Sequence, residues 1–65
     1  MLSIVPIKQY CKLSGETLAS VTRRIERGLW IEGKQVVKIN GVRERWIDLT
    51  EVETWARNNG NYHAG

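Results

Sequence analysis

The sequence lacks several residues on which small domains commonly rely. Its 65 residues include one cysteine, Cys11, one histidine, His63, and no phenylalanine. A single cysteine excludes an internal disulfide, and one cysteine with one histidine falls short of the four ligands of a typical structural zinc site. Because a chain of this length buries only about 60% of its unfolded surface, large apolar side chains must carry its stability. We expect Trp30, Trp46 and Trp55 to serve this purpose.

Long apolar runs and catalytic motifs are also missing. The apolar run at residues 4–7 is too short for the core of a signal peptide, and no segment approaches the ~20 apolar residues of a membrane span. We therefore expect a cytoplasmic protein with no membrane partner, since an unpaired cysteine suits a reducing compartment. There is no glycine-rich phosphate loop, paired-acid motif or Ser/His/Asp arrangement. No catalytic residue, metal or cofactor is predicted, and an enzyme is disfavoured.

Charge is distributed unevenly along the chain. Residues 1–45 hold nine Lys and Arg against four Asp and Glu, a balance of +5, whereas residues 46–65 hold one against three, a balance of −2. A localised basic surface is typical of a protein that binds nucleic acid.

Hydrophobic periodicity predicts two helices close together in the first half of the chain. The first extends from Pro6 to about Leu13, with Ile7, Tyr10 and Cys11 on one apolar stripe, so we interpret the cysteine as a packing residue. Ser14-Gly15 ends it. The second helix extends from about residue 16 to residue 27 and stops at Gly28.

A hairpin and a third helix follow. The segments 35–39 and 42–47 are rich in β-branched residues and flank Asn40-Gly41, which predicts a type I′ turn. Asp48 is a suitable N-cap for a helix ending near residue 57. The order of elements predicts a small α+β domain of the winged helix-turn-helix type over residues 1–57, with 58–65 as a short disordered tail that contains His63.

The second helix has two contrasting faces. Leu18, Val21 and Ile25 form the predicted core stripe, and the basic residues lie roughly opposite them. Arg23 and Arg27 are an i, i+4 pair of like charges, which weakens a helix slightly. A solvated surface would interleave the signs more evenly, so we interpret this face as a recognition helix for the major groove of DNA. Its candidate DNA-binding residues are Thr17, Ser20, Thr22, Arg23, Arg24 and Arg27.

The predicted hairpin is basic as well. Cations at a hairpin tip suit phosphate contacts or entry into a narrow minor groove, although strands also carry Lys and Arg for solubility and edge protection. The candidate DNA-binding residues of this wing are Lys38, Asn40, Arg43 and Arg45.

Four stretches of the chain resemble the phage excisionase-like (Xis-type) winged-helix family, which is related to the MerR-type DNA-binding domains. They are Y-x-x-L-S-G at residues 10–15, R-x-I-x-R-G-x-W at 23–30, G-K-x-x-V-K-I-x-G at 33–41 and W-I-D-L-x-E-V-E-x-W at 46–55. In the family's DNA-reading run, Ser20 and Arg23 keep the character of the motif, while Ala19 and Thr22 depart from it. The resemblance covers residues 10–57.

This resemblance implies an accessory protein of site-specific recombination. Such proteins bind and bend attachment-site DNA, help a tyrosine-type integrase to excise a prophage, often act as several copies side by side, and have no catalytic activity. Two alternatives remain open from the residues. One is a small prophage-encoded transcriptional regulator of the same fold, and the other is a protein-interaction module whose basic face meets an acidic protein.

Overall fold

A three-stranded antiparallel sheet pairs the N-terminal strand with a strand that lies more than 40 residues later in the chain. The computed structural model describes residues 3–59. Its elements are β1 (Ile4–Pro6), α1 (Ile7–Ser14), α2 (Leu18–Glu26), β2 (Val36–Val37), β3 (Trp46–Asp48) and α3 (Leu49–Asn59). The strand order is β1-β3-β2, so β3 is central. Three helices with this sheet confirm the predicted α+β class, and no helix within residues 3–59 has both the length and the apolar character needed to cross a bilayer.

The first strand was not predicted, since residues 4–7 were interpreted only as an apolar run. It pairs with β3 so that Val5 lies opposite Ile47, and β2 places Val36 opposite Ile47 from the other side. All three side chains are buried. One rung of the sheet therefore assembles three β-branched residues from distant parts of the chain into the core.

The strands that follow are shorter than predicted, and their register differs. A two-residue hairpin turn at Asn40-Gly41 would place Val37 opposite Glu44, but Val37 pairs with Trp46. Residues 38–45 form a loop instead of continuing the ladder. This register keeps Ile47 between its two buried neighbours, because a shift of the central strand would disturb its pairing with both β1 and β2.

The turn at Asn40-Gly41 is also of a different type from the one predicted. The N–H of Val42 donates to the carbonyl of Ile39 at 3.0 Å, so a turn is present. Of its two central residues only Gly41 has a positive φ, 82°. A type I′ turn needs positive φ at both, whereas this pattern fits type II, so the prediction was wrong in this detail.

A three-residue junction joins α1 to α2, as the tight-turn prediction required. Gly15 has φ 79°, and its N–H donates to the carbonyl of Cys11 at 2.8 Å, which ends α1. Thr17 is the N-cap of α2, and its hydroxyl oxygen accepts the N–H of Ser20 at 3.1 Å. Helix α2 therefore begins two residues later than predicted.

The core lies between the sheet and the three helices. It consists of Val5, Ile7, Tyr10, Val21, Trp30, Val36 and Ile47. Trp30 is its largest member and makes edge contacts with Tyr10 and Trp55, with ring centroids 5.4 and 5.6 Å apart. Burial of Trp30 and packing of Cys11 against the core confirm the predictions for these residues, while Trp46 and Trp55 are only partly buried. Leu18 was wrongly predicted as a core residue, since 46% of its surface is exposed.

The last element, α3, begins directly after β3 and continues through Asn59. Its N-terminus is capped as predicted, because the Asp48 carboxylate accepts the N–H of Glu51 at 3.1 Å. Asn58 and Asn59 belong to this helix, two residues beyond the predicted boundary at 57. The rest of the predicted tail, residues 60–65 with His63, lies outside the described residues.

Candidate nucleic-acid interface

A cleft of about 460 Å³ lies beside the N-terminal half of α2 and the 38–45 loop. Four cations and one acid line it, so its net charge is strongly positive. The cations are Lys8, Lys38, Arg43 and Arg45, the acid is Glu44, and the other lining residues are Ile7, Leu18 and Thr22. Three of the four predicted wing residues and Thr22 of the predicted recognition helix therefore share one opening.

The 38–45 loop is attached at its base to the N-terminus of α1. Pro6 occupies the N-cap position without a side chain that can cap the helix. The missing acceptors come from the loop, because the carbonyl of Arg45 accepts the N–H of Ile7 at 2.9 Å and the Glu44 carboxylate accepts that of Lys8 at 3.4 Å. A carboxylate is favoured at this positive end of the helix dipole. Glu44 therefore has a structural partner within the cleft, and the loop is held next to α1.

A second, smaller groove of about 180 Å³ lies along the arginine face of α2. Ser20, Arg23, Arg24, Arg27 and Leu29 line it. Arg23 and Arg27 are exposed, and within residues 3–59 neither lies within ion-pair distance of a carboxylate. Two guanidinium groups one helical turn apart are thus available to an anion from outside the domain.

Arg24 is positioned differently from its two neighbours, which revises the prediction made for it. Its guanidinium forms a two-pronged ion pair with Glu16, one prong of which measures 3.2 Å from Nη1 to Oε2. The same group lies over the rings of Trp30 and Trp55, 4.8 and 5.5 Å from their centroids. Only 19% of the Arg24 side chain is exposed. Arg24 therefore borders the groove, but its charge is engaged by Glu16 and its guanidinium joins α2 to the core.

The ion pair belongs to a small polar cluster that extends to α1. The Tyr10 hydroxyl donates to Oε2 of Glu16 at 2.8 Å. Hydrogen bonds from Arg24 are the main cause that holds the pKa of the Glu16 carboxyl below its ordinary value. Burial, followed by the contact with Glu16, raises the pKa of Tyr10. The cluster is most stable with a charged carboxylate and a neutral phenol.

The two remaining predicted site residues lie outside both openings. Thr17 is exposed, and its hydroxyl oxygen accepts the N–H of Ser20 as the cap of α2. Asn40 is exposed at the turn of the 38–45 loop, beyond the cleft. Sequence reasoning missed Lys8, Leu18 and Leu29 as lining residues. Helical periodicity had no signal for Lys8, because only the packing of the loop against α1 brings it to the cleft.

The chemistry that these surfaces offer is recognition of anions. Within residues 3–59 no group of three or more His, Cys, Asp or Glu side chains is arranged to hold a metal ion. Comparison with protein-family models, with curated proteins and with solved structures found no match to this chain. What the domain binds must therefore be inferred from its own geometry and charge.

Proposed function

We propose that the domain is a winged-helix protein that binds double-stranded DNA. In this proposal α2 enters the major groove, and the 38–45 loop is the wing beside it. The observation that carries the proposal is the shared basic cleft, since four cations from α1 and the loop line one opening next to α2. A DNA strand passing between the major-groove helix and the wing would present its phosphates to this cleft.

The residues divide into two kinds of contact. Ser20, Arg23 and Arg27 are proposed to face base edges, and an arginine that is bidentate to guanine is the commonest specific contact of this kind. The cleft cations are proposed to bind phosphates, which position the protein without reading sequence. Arg24 is left out because Glu16 and the tryptophans occupy it. With the four cleft cations against phosphates, affinity should fall with log salt at a slope of about −3.6.

The biological role proposed is that of an excisionase, a recombination directionality factor without catalytic activity or a cofactor. This step rests on the four sequence stretches that resemble the Xis-type family. The small size of the domain agrees with this accessory role, because a module of this size buries only about 600–1,000 Å² on DNA and contacts few bases. Further copies of the chain or a tyrosine-type integrase on the same DNA are proposed to supply the remaining specificity.

The first test is selection from a pool of random 20-base-pair duplexes by wild-type protein, followed by binding curves at two salt concentrations. We expect an enriched motif, and we expect Arg23→Ala and Arg27→Ala to lose about 1–3 kcal/mol of specific binding each. Lys34→Ala is the matched control, because Lys34 is exposed and lines neither opening. It should keep the specific component.

The outcomes separate the three functions. An enriched motif that maps to an attachment site beside an integrase gene supports an excisionase, and a motif in a promoter supports a transcriptional regulator of the same fold. Binding that is equally weak for every duplex, fades at moderate salt and is unaffected by Arg23→Ala contradicts the DNA-reading proposal. In that case an acidic protein partner is the better explanation of the basic face.

A further inference from the structure

The tip of the 38–45 loop carries an apolar surface. Ile39 and Val42 are 37% and 41% exposed, although both are large aliphatic residues. They stand at the two ends of one turn, joined by the hydrogen bond from Val42 N to the carbonyl of Ile39. The Cα atoms at the two ends of such a turn lie less than about 7 Å apart. Both side chains are stiff at χ1, so little conformational freedom is lost when they are buried.

Cations flank this apolar tip on both arms. Lys38 precedes Ile39 and Arg43 follows Val42, and both cations are exposed and line the cleft. We infer that Ile39 and Val42 form a wedge that enters the minor groove and inserts against a base step, while Lys38 and Arg43 contact the phosphates on either side. This inference rests on the proposed DNA-binding function and adds to it a mechanism of bending. Two side chains are far too few for a stable protein interface, which needs about 800 Å² per partner.

The loop has the reach and the support that such a wedge needs. Gly41 lies four positions after Val37, the end of β2, and Glu44 lies three positions after Gly41. At about 3.3 Å per residue the two arms extend at most ~13 and ~10 Å, and the minor groove is about 7.5 Å deep. The base of the loop is held by its two hydrogen bonds to the N-terminus of α1. Because its base is fixed in this way, the loop can hold its tip against a base step without a change in its own conformation.

We expect insertion of the wedge to kink the DNA and to change binding affinity only slightly. Apolar side chains that wedge between base pairs unstack them and bend the duplex. The cost of unstacking offsets most of what burial of two aliphatic side chains contributes. Flexible pyrimidine–purine steps are the cheapest to deform, so the wedge is expected to favour TA or CA at that position.

The test compares the double variant Ile39→Ser/Val42→Ser with wild-type protein on the enriched duplex. Bend is measured by energy transfer between dyes at the duplex ends, and unstacking by the fluorescence of 2-aminopurine at successive positions. We expect the variant to bind within about threefold of wild type and to lose at least half of the bend and of the 2-aminopurine signal. Leu13→Ser/Ile31→Ser is the matched control, since it removes two other aliphatic residues, which are 62% and 53% exposed and line neither opening. It should keep the bend.

Each outcome decides something different. A double variant that bends DNA and brightens 2-aminopurine as wild type does overturns the wedge and leaves DNA binding intact. Wild-type protein that selects no duplex removes the proposed function and the wedge with it. The milder single variants Ile39→Ala and Val42→Ala keep the turn and should each give a partial loss of bend, so that a folding defect in the double variant cannot decide the result.

Discussion

The three arginines at the C-terminal end of α2 are expected to differ in which property an alanine substitution lowers. Arg24→Ala removes both hydrogen bonds to Glu16 and the contacts with Trp30 and Trp55. Arg23→Ala and Arg27→Ala remove exposed side chains that have no carboxylate partner within residues 3–59. The first substitution should lower stability, and the other two should lower DNA affinity.

The magnitude for Arg24→Ala follows from what the guanidinium contacts. Truncating one partner of a charged hydrogen bond costs about 1.5–3 kcal/mol, and a guanidinium over an aromatic face contributes about 0.5–1 kcal/mol. Water screens the pair in part, because 19% of the Arg24 side chain and 27% of the Glu16 side chain are exposed. After this screening we expect a loss of about 2–3 kcal/mol, in the lower half of the combined range. For a domain of this size, that lowers Tm by roughly 10–25 °C at 4–8 °C per kcal/mol.

The assay is thermal and urea unfolding followed by circular dichroism, with all three variants in parallel. Arg23→Ala and Arg27→Ala should stay within about 0.5 kcal/mol of wild type, as exposed substitutions usually do. A double-mutant cycle with Glu16→Gln should then show coupling between residues 16 and 24. If Arg24→Ala unfolds at the same temperature as the two controls, the ion pair is a solvated surface contact that does not hold α2 to the core.

Three further predictions concern the pH dependence, the core and the loop. Because the pKa of Glu16 is lowered in the folded state, mainly by Arg24, its contribution is complete above the ordinary value near 4.5 and is lost as the pH falls through the lowered value. Urea unfolding between pH 2 and 7 should therefore show a shallower acid limb for Glu16→Gln than for wild type, and equal slopes would contradict the assignment. Ile47→Ala should cost about 2–5 kcal/mol, since Ile47 is fully buried between two strands, and a loss below 1 kcal/mol in the same urea assay would argue against the observed register. Glu44→Ala should lower stability by about 0.5–1 kcal/mol, because the cap of α1 is lost. The same substitution should strengthen DNA binding severalfold, because it removes the acid that lines the cleft. Weaker binding at unchanged salt would show that Glu44 does more than cap the helix.

The helices and their junction were predictable from the sequence because their signals are local. Apolar spacing identified the stripe that includes Val21, and glycine after Ser14 marked the end of α1, whereas the cap at Thr17 that begins α2 was not predicted. Leu18 is an exception to this apolar spacing. It stands on the apolar side of α2 by angle, but its turn of the helix borders the cleft, so it remains exposed.

The register of the sheet required information that no local pattern contains. Asn40-Gly41 does form a turn, and local preference alone would continue the two strands symmetrically from it. The observed register instead satisfies Ile47, which must lie between Val5 and Val36 at once. Val5 is more than 40 residues before Ile47 in the chain, and the three residues of β1 are too few to form a pattern that predicts their partner strand.

The sequence by itself determined the order of the three helices and of the two later strands, the position of the turns and the concentration of positive charge in the first two thirds of the chain. Helical periodicity and turn preferences act over a few residues, so they can be read without knowing the fold. Only the tertiary structure determined which arginines of α2 have an ion-pair partner within residues 3–59 and which do not. Arg23, Arg24 and Arg27 are the same residue type, although Arg24 lies about 100° from Arg23 around the helix and so nearer the core stripe. Trp30 and Trp55 come from other parts of the chain, and with Glu16 they surround Arg24 alone. Long-range packing therefore separates the arginine that holds the domain together from the two that are available to bind.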